Sequence, residues 1–276
     1  MAMRLGARRA TVADRTFGAF ELRKLDWDTT HFGHKMGVLA VARSVPELRS
    51  ALVSDLRLCL REAADDGYAH VILRMGVEEL PMARIAEECG MRLIDVSVDL
   101  VTTLEARHAL PAFGPSLRAI GRPGDVDAIR SIAEDAFEHS RFNSDPFFSH
   151  EQSVGFHRQW ISNLCSGLAD VVLVAEAGNE VAGFTSCVRQ KDGTGRIPLI
   201  ATSENHRRQG VGRALIDASL RWFASAGLTT AYVKTQVANY PALALYSSAG
   251  FTVAKGELTY SAMPSAMLRR PKPIDR

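Results

Sequence analysis

Apolar positions along this chain follow two patterns, short continuous runs and longer stretches with helical spacing. Continuous or β-branched apolar runs predict buried strands at 68–74, 91–104, 171–175, 181–189, 196–202 and 229–235. Apolar residues spaced by three and four predict helices at 46–66, 80–89, 125–137 and 150–164. Strands and helices therefore alternate along most of the chain, which predicts an α/β protein.

The same pattern divides the chain into two domains. Residues 16–105 begin with a strand, a turn centred on 25–33 and a second strand, and two helices and two further strands follow, which predicts a small α/β domain. Residues 106–116 contain Pro111, Gly114 and Pro115 and predict a linker, and residues 117–268 form the second domain. The first 15 residues are basic and aperiodic, and we expect a disordered tail there.

Composition narrows the class of protein. A length of 276 residues suffices for two domains, and an apolar fraction of 46% supports buried cores. No apolar run reaches the roughly 20 residues that span a bilayer, and a net charge of +2 argues against a broad nucleic-acid surface. The four cysteines are scattered, without metal-binding or disulfide spacing. We therefore expect reduced thiols, no metal and a cytoplasmic location.

The most informative motif joins a cationic, glycine-containing loop to the start of a helix. Unpaired backbone N–H groups and the positive end of the helix dipole favour an anion there, and glycine lets a diphosphate approach the backbone. The loop therefore predicts a pyrophosphate site, although an Arg-rich turn before a surface helix gives a similar pattern. Its spacing is neither that of the phosphate loop of nucleotide hydrolases nor that of a dinucleotide fingerprint. The residues of the predicted site are Arg207, Arg208, Gln209, Gly210, Val211, Gly212 and Arg213.

A second motif follows the strand at 229–235. Segment 239–251 predicts a short helix, with Asn239 as its N-cap, Pro241 in its first turn and Gly250 at its end. Arg-x-x-Gly-x-Gly at 207–212 and Asn-x-x-Ala-x-x-x-Tyr-x-x-x-Gly-Phe at 239–251 resemble the two signatures of the GNAT acetyltransferases. Their order, with a strand between them, also agrees with that family.

This resemblance implies a fold, an acetyl donor and roles for several residues. The fold is α/β (α+β), with a mixed, mostly antiparallel sheet flanked by helices and, here, a smaller α/β domain before it. The donor is acetyl-CoA, whose diphosphate contacts the 207–213 loop and whose pantetheine contacts Asn239 and the strand before the loop. A backbone N–H of Leu199, Ile200 or Ala201 is expected to stabilise the acetyl oxygen. Tyr246, protonated at neutral pH, is expected to protonate the departing thiolate.

Segments outside both signatures resemble a narrower group, the dTDP-4-amino-4,6-dideoxyhexose N-acetyltransferases. The likeness extends over most of the chain and includes 25–33, 136–142 and 156–161. It implies that Trp27, Phe32 and Arg141 shape the pocket of the acceptor. Core packing would equally explain the two aromatic residues, and an ion pair would explain the arginine.

The narrower resemblance also implies a base for the acceptor amine, which is largely protonated at neutral pH. Asp95 matches the position of an acidic residue proposed as base in that group, where the residue is Glu, so the shorter Asp calls for a bridging water. Asp99 lies on the same strand face and is a rival, and a solvent-exposed face explains both. Leu245 stands where that group carries a basic residue, so one phosphate contact is either missing here or supplied by another residue such as Arg208 or Arg213.

The sequence therefore predicts an N-acetyltransferase that moves an acetyl group from acetyl-CoA to a small amine by direct attack in a ternary complex. The preferred acceptor is a nucleotide-linked 4-amino-4,6-dideoxyhexose. Neither nucleic acid nor a membrane is expected as a partner, and a homodimer is compatible with the resemblance. Two alternatives stay open: another amine, such as an aminoglycoside, a polyamine or a protein N-terminus, and a non-catalytic acetyl-CoA-binding module.

Overall fold

Residues 15–41, 49–104 and 116–267 are described by the computed structural model and group into two units. The first unit extends to Val96 and includes Ser144–Phe147 and the chain from Gly256 onwards, and the second contains Ser97–Asn143 and Phe148–Lys255. Apart from their last residues, the expected tail 1–15 and linker 106–116 lie outside the described residues. The domain limits 16–105 and 117–268 differ from this grouping and stay a prediction.

Strands and helices alternate through the described ranges. In the first half of the chain they are β1 (Arg15–Phe17), β2 (Phe20–Lys24), α1 (Asp26–Phe32), β3 (Met36–Val41), α2 (Arg49–Asp65), β4 (His70–Gly76), α3 (Leu80–Glu88), β5 (Arg92–Thr103), β6 (Ser116–Ala119) and α4 (Asp125–Ala136). In the second half they are α5 (Arg141–Ser144), α6 (His150–Asn163), β7 (Val171–Ala177), β8 (Glu180–Arg189), β9 (Gly195–Ile197), β10 (Ile200–Thr202), α7 (Val211–Ser225), β11 (Thr230–Gln236), α8 (Tyr240–Ser248), β12 (Thr252–Ala262) and α9 (Pro264–Met267). None of the helices in the described ranges has the length and hydrophobicity needed to cross a membrane.

The sheet of the first unit buries one face against helices. Strands β1, β2 and β3 pair antiparallel, β3 and β4 pair parallel, and β4 pairs antiparallel with the end of β12. Because side chains alternate along a strand, Val71, Leu73 and Tyr260 enter one core. Leu56 of α2 and Ile85 of α3 complete that core.

The turn expected at 25–33 is wrong, because these residues form helix α1. Thr29 N–H donates to Leu25 O at 2.8 Å, and Gly33, with φ 69°, ends the helix in the left-handed conformation. Asp26 and Asp28 place negative charge in the first turn, at the positive end of the helix dipole, which stabilises the helix. The strands predicted on either side are present as β2 and β3.

The sheet of the second unit is mixed and mostly antiparallel, as predicted. Its order is β5, β11, β9, β8, β7 and β6, with β10 on β8, and among the described strands of this sheet only the pair β9 and β11 is parallel. Ile216 and Phe223 of α7 pack with Leu100 and Val233 from the sheet. This packing holds the first turn of α7 next to the strands that precede it.

The single strand predicted at 196–202 is two strands, β9 and β10. Strand β9 pairs with β11 as far as Ile197 and Val233, whereas β10 pairs with β8. Pro198 lies between them and has no N–H to continue the ladder with β11. The chain therefore leaves β11 just before the predicted pyrophosphate loop. Strand β10 continues along β8 and is separated from β11.

Helix α4 begins at a clamp of charged groups. Gly124 is the N-cap residue of this helix and has φ 87°. The buried Asp125 carboxylate accepts two hydrogen bonds of 2.8 Å from Arg118, and it also accepts N–H bonds from Gly121 and Arg122. These bonds join β6 to the start of α4.

Candidate active site

The predicted pyrophosphate loop is a short, exposed bend that ends at the N-terminus of α7. Gly210 is the N-cap residue, with φ 82°, and Ala214 N–H donates to Gly210 O at 3.0 Å to close the first turn. No side chain caps this helix end. The N–H groups of Val211, Gly212 and Arg213 therefore have no partner within the helix, as an anion site requires.

The two glycines of this loop serve different purposes. A Cβ at Gly210 would meet no atom within 4 Å, so its left-handed φ is what requires glycine there. A Cβ at Gly212 would lie 3.2 Å from a methyl group of Leu245. Gly212 therefore lets α7 approach α8 closely, and the side of the bend at Gly210 stays open.

The cations of the loop differ in how they are used. Arg207 and Arg208 are exposed, and Arg208 is the one non-glycine residue with positive φ, 60°, in the described chain. The Arg213 guanidinium instead donates to Asp217 at 2.9 Å and to Ser248 O at 3.0 Å. Arg213 therefore already has protein partners, and Arg208 is the better candidate of the two for the extra phosphate contact.

Strand β10 presents one backbone edge away from β8. Ser186 N–H donates to Leu199 O at 2.9 Å, and Leu199 N–H donates to Ser186 Oγ at 3.1 Å. Because alternate residues of an antiparallel strand bond the same neighbour, Ala201 faces β8 as Leu199 does, and Ile200 N–H faces away. Of the three candidate donors to the acetyl oxygen, Ile200 is the one whose N–H is not directed at β8.

Helix α8 begins at Asn239, as predicted. Asn239 Oδ1 accepts the N–H of Ala242 at 3.2 Å, Pro241 lies in the first turn, and Gly250 follows the helix with φ 87°. Since Oδ1 is occupied by the cap, the side-chain NH₂ of Asn239 is the group left to donate to a ligand.

Tyr246 lies on the buried side of α8. It is 4% exposed, belongs to the core that contains Leu100 and Val233, and packs against the ring of Phe251 at 5.9 Å between centroids. Burial raises the pKa of Tyr246 well above its usual range. Its hydroxyl is therefore protonated at neutral pH, as a proton donor must be.

The two candidate bases have different surroundings. Asp99 lies in the second unit, and its carboxylate is 3.4 Å from Lys234 Nζ and 3.5 Å from an Arg196 nitrogen. These cations account for an acid at position 99 without any role in the reaction. Asp95 is half-buried on the part of β5 that belongs to the first unit. Its role as base stays a prediction.

The residues expected to contact the acceptor are distributed over both units. In the first unit, Trp27 stacks on His31 with centroids 5.1 Å apart, and Phe32 is buried with its ring 4.7 Å from His31. In the second unit, the Arg141 guanidinium lies 4.0 Å from the centre of the Phe142 ring. Their roles in acceptor binding stay predictions.

A buried hydrogen-bonded pair in the first unit, His70 with Asp145, has no signal in the sequence. His70 Nε2 lies 2.7 Å from Asp145 Oδ2, and the two side chains are 0% and 1% exposed. Burial acts to raise the pKa of Asp145, but hydrogen bonds from His70, the Phe147 N–H and Ser261 lower it overall. The partners are 75 residues apart in sequence, so no local pattern could have revealed the pair.

Metal and thiol chemistry have no visible site in the described ranges. No group of three or more His, Cys, Asp or Glu side chains there could hold a metal ion. All four cysteines are free, and burial raises the pKa of Cys59 and of Cys187 to about 12. These two thiols are therefore protonated and poor nucleophiles at neutral pH.

Part of this chain matches a known protein family, and several known proteins are similar to it in sequence. Residues 126–251 match the acetyltransferase (GNAT) family. The chain is 25% identical over 236 residues to dTDP-fucosamine acetyltransferase of Escherichia coli O6:H1, covering 84% of this chain and 93% of that protein. It is 28% identical to the spore coat polysaccharide biosynthesis protein SpsD of Bacillus subtilis over 51% of this chain and 49% of that one. Mycothiol acetyltransferase of Streptomyces bingchenggensis is 33% identical over 32% of this chain and 29% of its own length.

Solved structures share the fold over most of the chain. A GCN5-related N-acetyltransferase from Sphaerobacter thermophilus superposes with a TM-score of 0.63 at 15% identity, covering 89% of this chain and 77% of that one. Another from Kribbella flavida has a TM-score of 0.61 at 17% identity, covering 90% and 88%. At these identities the likeness shows the fold alone.

Proposed function

Because the chain carries a GNAT acetyltransferase domain and is an N-acetyltransferase, we propose that it transfers acetyl from acetyl-CoA to the amine of a nucleotide-linked 4-amino-4,6-dideoxyhexose. The transfer is direct, in a ternary complex of donor and acceptor. The observation that carries the acceptor is the likeness to dTDP-fucosamine acetyltransferase, since it covers 93% of that protein and extends well beyond the GNAT domain. A nucleotide sugar also fits the cytoplasmic location that we expect.

The proposed donor site consists of the 207–213 loop, β10 and the start of α8. The unpaired N–H groups at the start of α7 and the exposed Arg207 and Arg208 match a diphosphate. The side-chain NH₂ of Asn239 and the outward edge of β10 match the amide groups of pantetheine. These features support acetyl-CoA over a nucleotide triphosphate, whose loop has different spacing.

In the proposed reaction the acceptor nitrogen attacks the thioester carbonyl carbon, so a C–N bond forms and the C–S bond breaks. Tyr246 gives its hydroxyl proton to the departing sulfur, and Ile200 N–H donates to the carbonyl oxygen as negative charge develops there. The proton lost by the amine passes through water to Asp95 and then to solvent. Tyr246 regains a proton from solvent, so protons balance over one turnover.

The test is turnover with a panel of amino-sugar nucleotides. Purified protein is incubated with acetyl-CoA and dTDP- or UDP-linked amino sugars, and release of the coenzyme A thiol is followed together with the mass of the product. We expect saturable turnover with 4-amino-4,6-dideoxyhexoses and none with the corresponding 4-hydroxy sugars. Absence of turnover with every amino-sugar nucleotide would reject the proposed acceptor.

A second candidate acceptor is a small amine that carries no nucleotide. The likeness to mycothiol acetyltransferases favours it, although that match covers 32% of this chain. Aminoglycosides, polyamines and peptides with a free N-terminus in the same panel distinguish the two candidates. Preferential turnover of one of these compounds would favour the second candidate over the first.

A further inference from the structure

An aromatic cluster at one side of α6 lies within the second unit and has no role in the reaction described above. The ring of His157 stacks on Phe137 with centroids 4.8 Å apart, and Trp160 lies 6.4 Å from His157. The ring centroid of Phe156 lies 4.0 Å from that of Phe142 and 5.9 Å from that of Trp160. We call these five residues the α6 aromatic cluster.

His157 is held in one tautomer inside this cluster. Its Nδ1 lies 2.8 Å from Ser153 O, which can only accept, so Nδ1 carries the proton and Nε2 carries the lone pair. This bond is the one hydrogen bond of the ring within the described chain. Burial lowers the pKa of His157 to about 4, and the charge of Arg141 acts in the same direction. The imidazole is therefore neutral at pH 7, and Nε2 is a hydrogen-bond acceptor.

Trp160 supplies the complementary group. Its Nε1–H is buried and has no hydrogen-bond partner among the residues that the structure describes. A buried donor without a partner costs about 1–3 kcal/mol, so native structures seldom leave one without a reason. The cluster thus contains one acceptor nitrogen and one donor nitrogen among aromatic rings.

A sugar ring has the chemistry that these groups require. Its C–H faces pack against aromatic side chains, and each hydroxyl group both donates and accepts a hydrogen bond. We propose that the α6 aromatic cluster binds the hexose of the acceptor, with His157 Nε2 accepting from a ring hydroxyl and Trp160 Nε1 donating to one. This assignment rests on the proposed function. It makes His157 and Trp160 determinants of specificity, because a neutral imidazole with so low a pKa is a weak base for an amine.

The test compares variants with substrates that lack one hydroxyl. His157→Phe and Trp160→Phe each keep an aromatic ring and remove one polar nitrogen, and Gln159→Ala changes an exposed residue of the same helix as a control. We expect each aromatic variant to lower kcat/KM for the amino-sugar nucleotide about tenfold, the loss of one buried hydrogen bond. The same variant should lose nothing further on the analogue that lacks the contacted hydroxyl. The Kd of acetyl-CoA, the pH profile and the Gln159→Ala variant should not change.

A purely structural role would give a different result. Equal losses on the parent sugar and on every deoxy analogue would overturn the assignment, as would the loss of a pH-dependent step in His157→Phe. If His157→Phe does not fold, Trp160→Phe carries the same comparison. Wild-type inactivity on all amino-sugar nucleotides would instead reject the proposed function, and this assignment with it.

Discussion

Tyr246 and Arg208 show how the surroundings of single residues bear on the proposed chemistry. Tyr246 is a helix residue whose burial keeps its hydroxyl protonated, and Arg208 is an exposed cation held in a backbone conformation that normally favours glycine. That backbone conformation costs the folded protein about 1–2 kcal/mol. A need for positive charge where the loop meets an anion would explain why arginine, and not glycine, stands there.

Replacing Tyr246 by Phe should lower kcat about 100-fold, because the thiolate then leaves without a positioned proton donor. The KM for acetyl-CoA should change little, since the ring and its packing remain. The donor proton is lost only as pH rises through the raised pKa of Tyr246, so wild-type kcat should not fall on that account between about pH 6 and 9. Steady-state rates over this pH range check both points. An unchanged kcat, where chemistry limits the rate, would exclude the role.

Replacing Arg208 by Gly should affect stability and binding in opposite directions. Glycine adopts φ 60° without strain, so the melting temperature should stay equal or rise. Loss of the cation should weaken acetyl-CoA binding several-fold, and less at high salt. Calorimetry at two salt concentrations measures this effect, and Arg208→Asn, which also tolerates this conformation, is the matched neutral control. Unaltered affinity in both variants would mean that Arg208 does not contact the diphosphate.

Two features of the second unit position the residues of the proposed donor site. The break between β9 and β10 turns the Ile200 edge away from β8, and the packing of Gly212 against Leu245 fixes α7 beside α8. Helix α4 is fixed separately, by the Asp125 carboxylate at its start. That clamp contains a buried charge with four donors, so the stability of this element should depend on pH.

Replacing Asp125 by Asn should destabilise the protein by about 2 kcal/mol at pH 7, because it removes the charge that Arg118 pairs with. The hydrogen bond from Arg118 lowers the pKa of Asp125 well below 3.8 in the folded state. Its stabilisation is therefore complete above about pH 4 and declines as pH falls towards the folded-state pKa. Urea denaturation at pH 7 and pH 3 should show the difference between wild type and variant shrinking at low pH. Asp127→Asn, at an exposed position of α4, is the control, and a difference independent of pH would contradict this explanation.

Across the whole molecule, the GNAT match and the wider likeness cover different parts of the chain. The family match ends at Phe251, within the second unit, whereas the likeness to dTDP-fucosamine acetyltransferase covers 84% of the chain. Recognition of the acetyl donor is therefore proposed from the second unit alone. The acceptor is proposed from the wider likeness.

The cysteines provide a prediction at this scale. Burial raises the pKa of all four thiols, and three of the four side chains are buried. Native protein should therefore react slowly with a chromogenic thiol reagent at pH 8, Cys165 first, and all four should react at once in denaturant. This behaviour also leaves the coenzyme A thiol assay free of background. Rapid reaction of two or more native thiols would contradict the burial.

The sequence by itself determined the features that depend on neighbouring residues. The cap of α8 by Asn239, the helix that starts after the glycine-containing loop and the order of the two signatures are local, because a helix end is formed by residues within a few positions. Residue spacing sufficed for these, and with them came the resemblance to the GNAT family.

Only the tertiary structure decided the features that join distant residues. Several features depend on segments far apart in sequence: the bond from Arg213 to Ser248 O, the cations beside Asp99, the His70 and Asp145 pair, and the separation of β10 from β11. The helix at 26–32 was also missed, since its flanking strands dominate the apolar pattern. Local patterns specify backbone conformation, but the partner of a charge or a strand edge is fixed when the chain packs, because burial forces each polar group to find a bond.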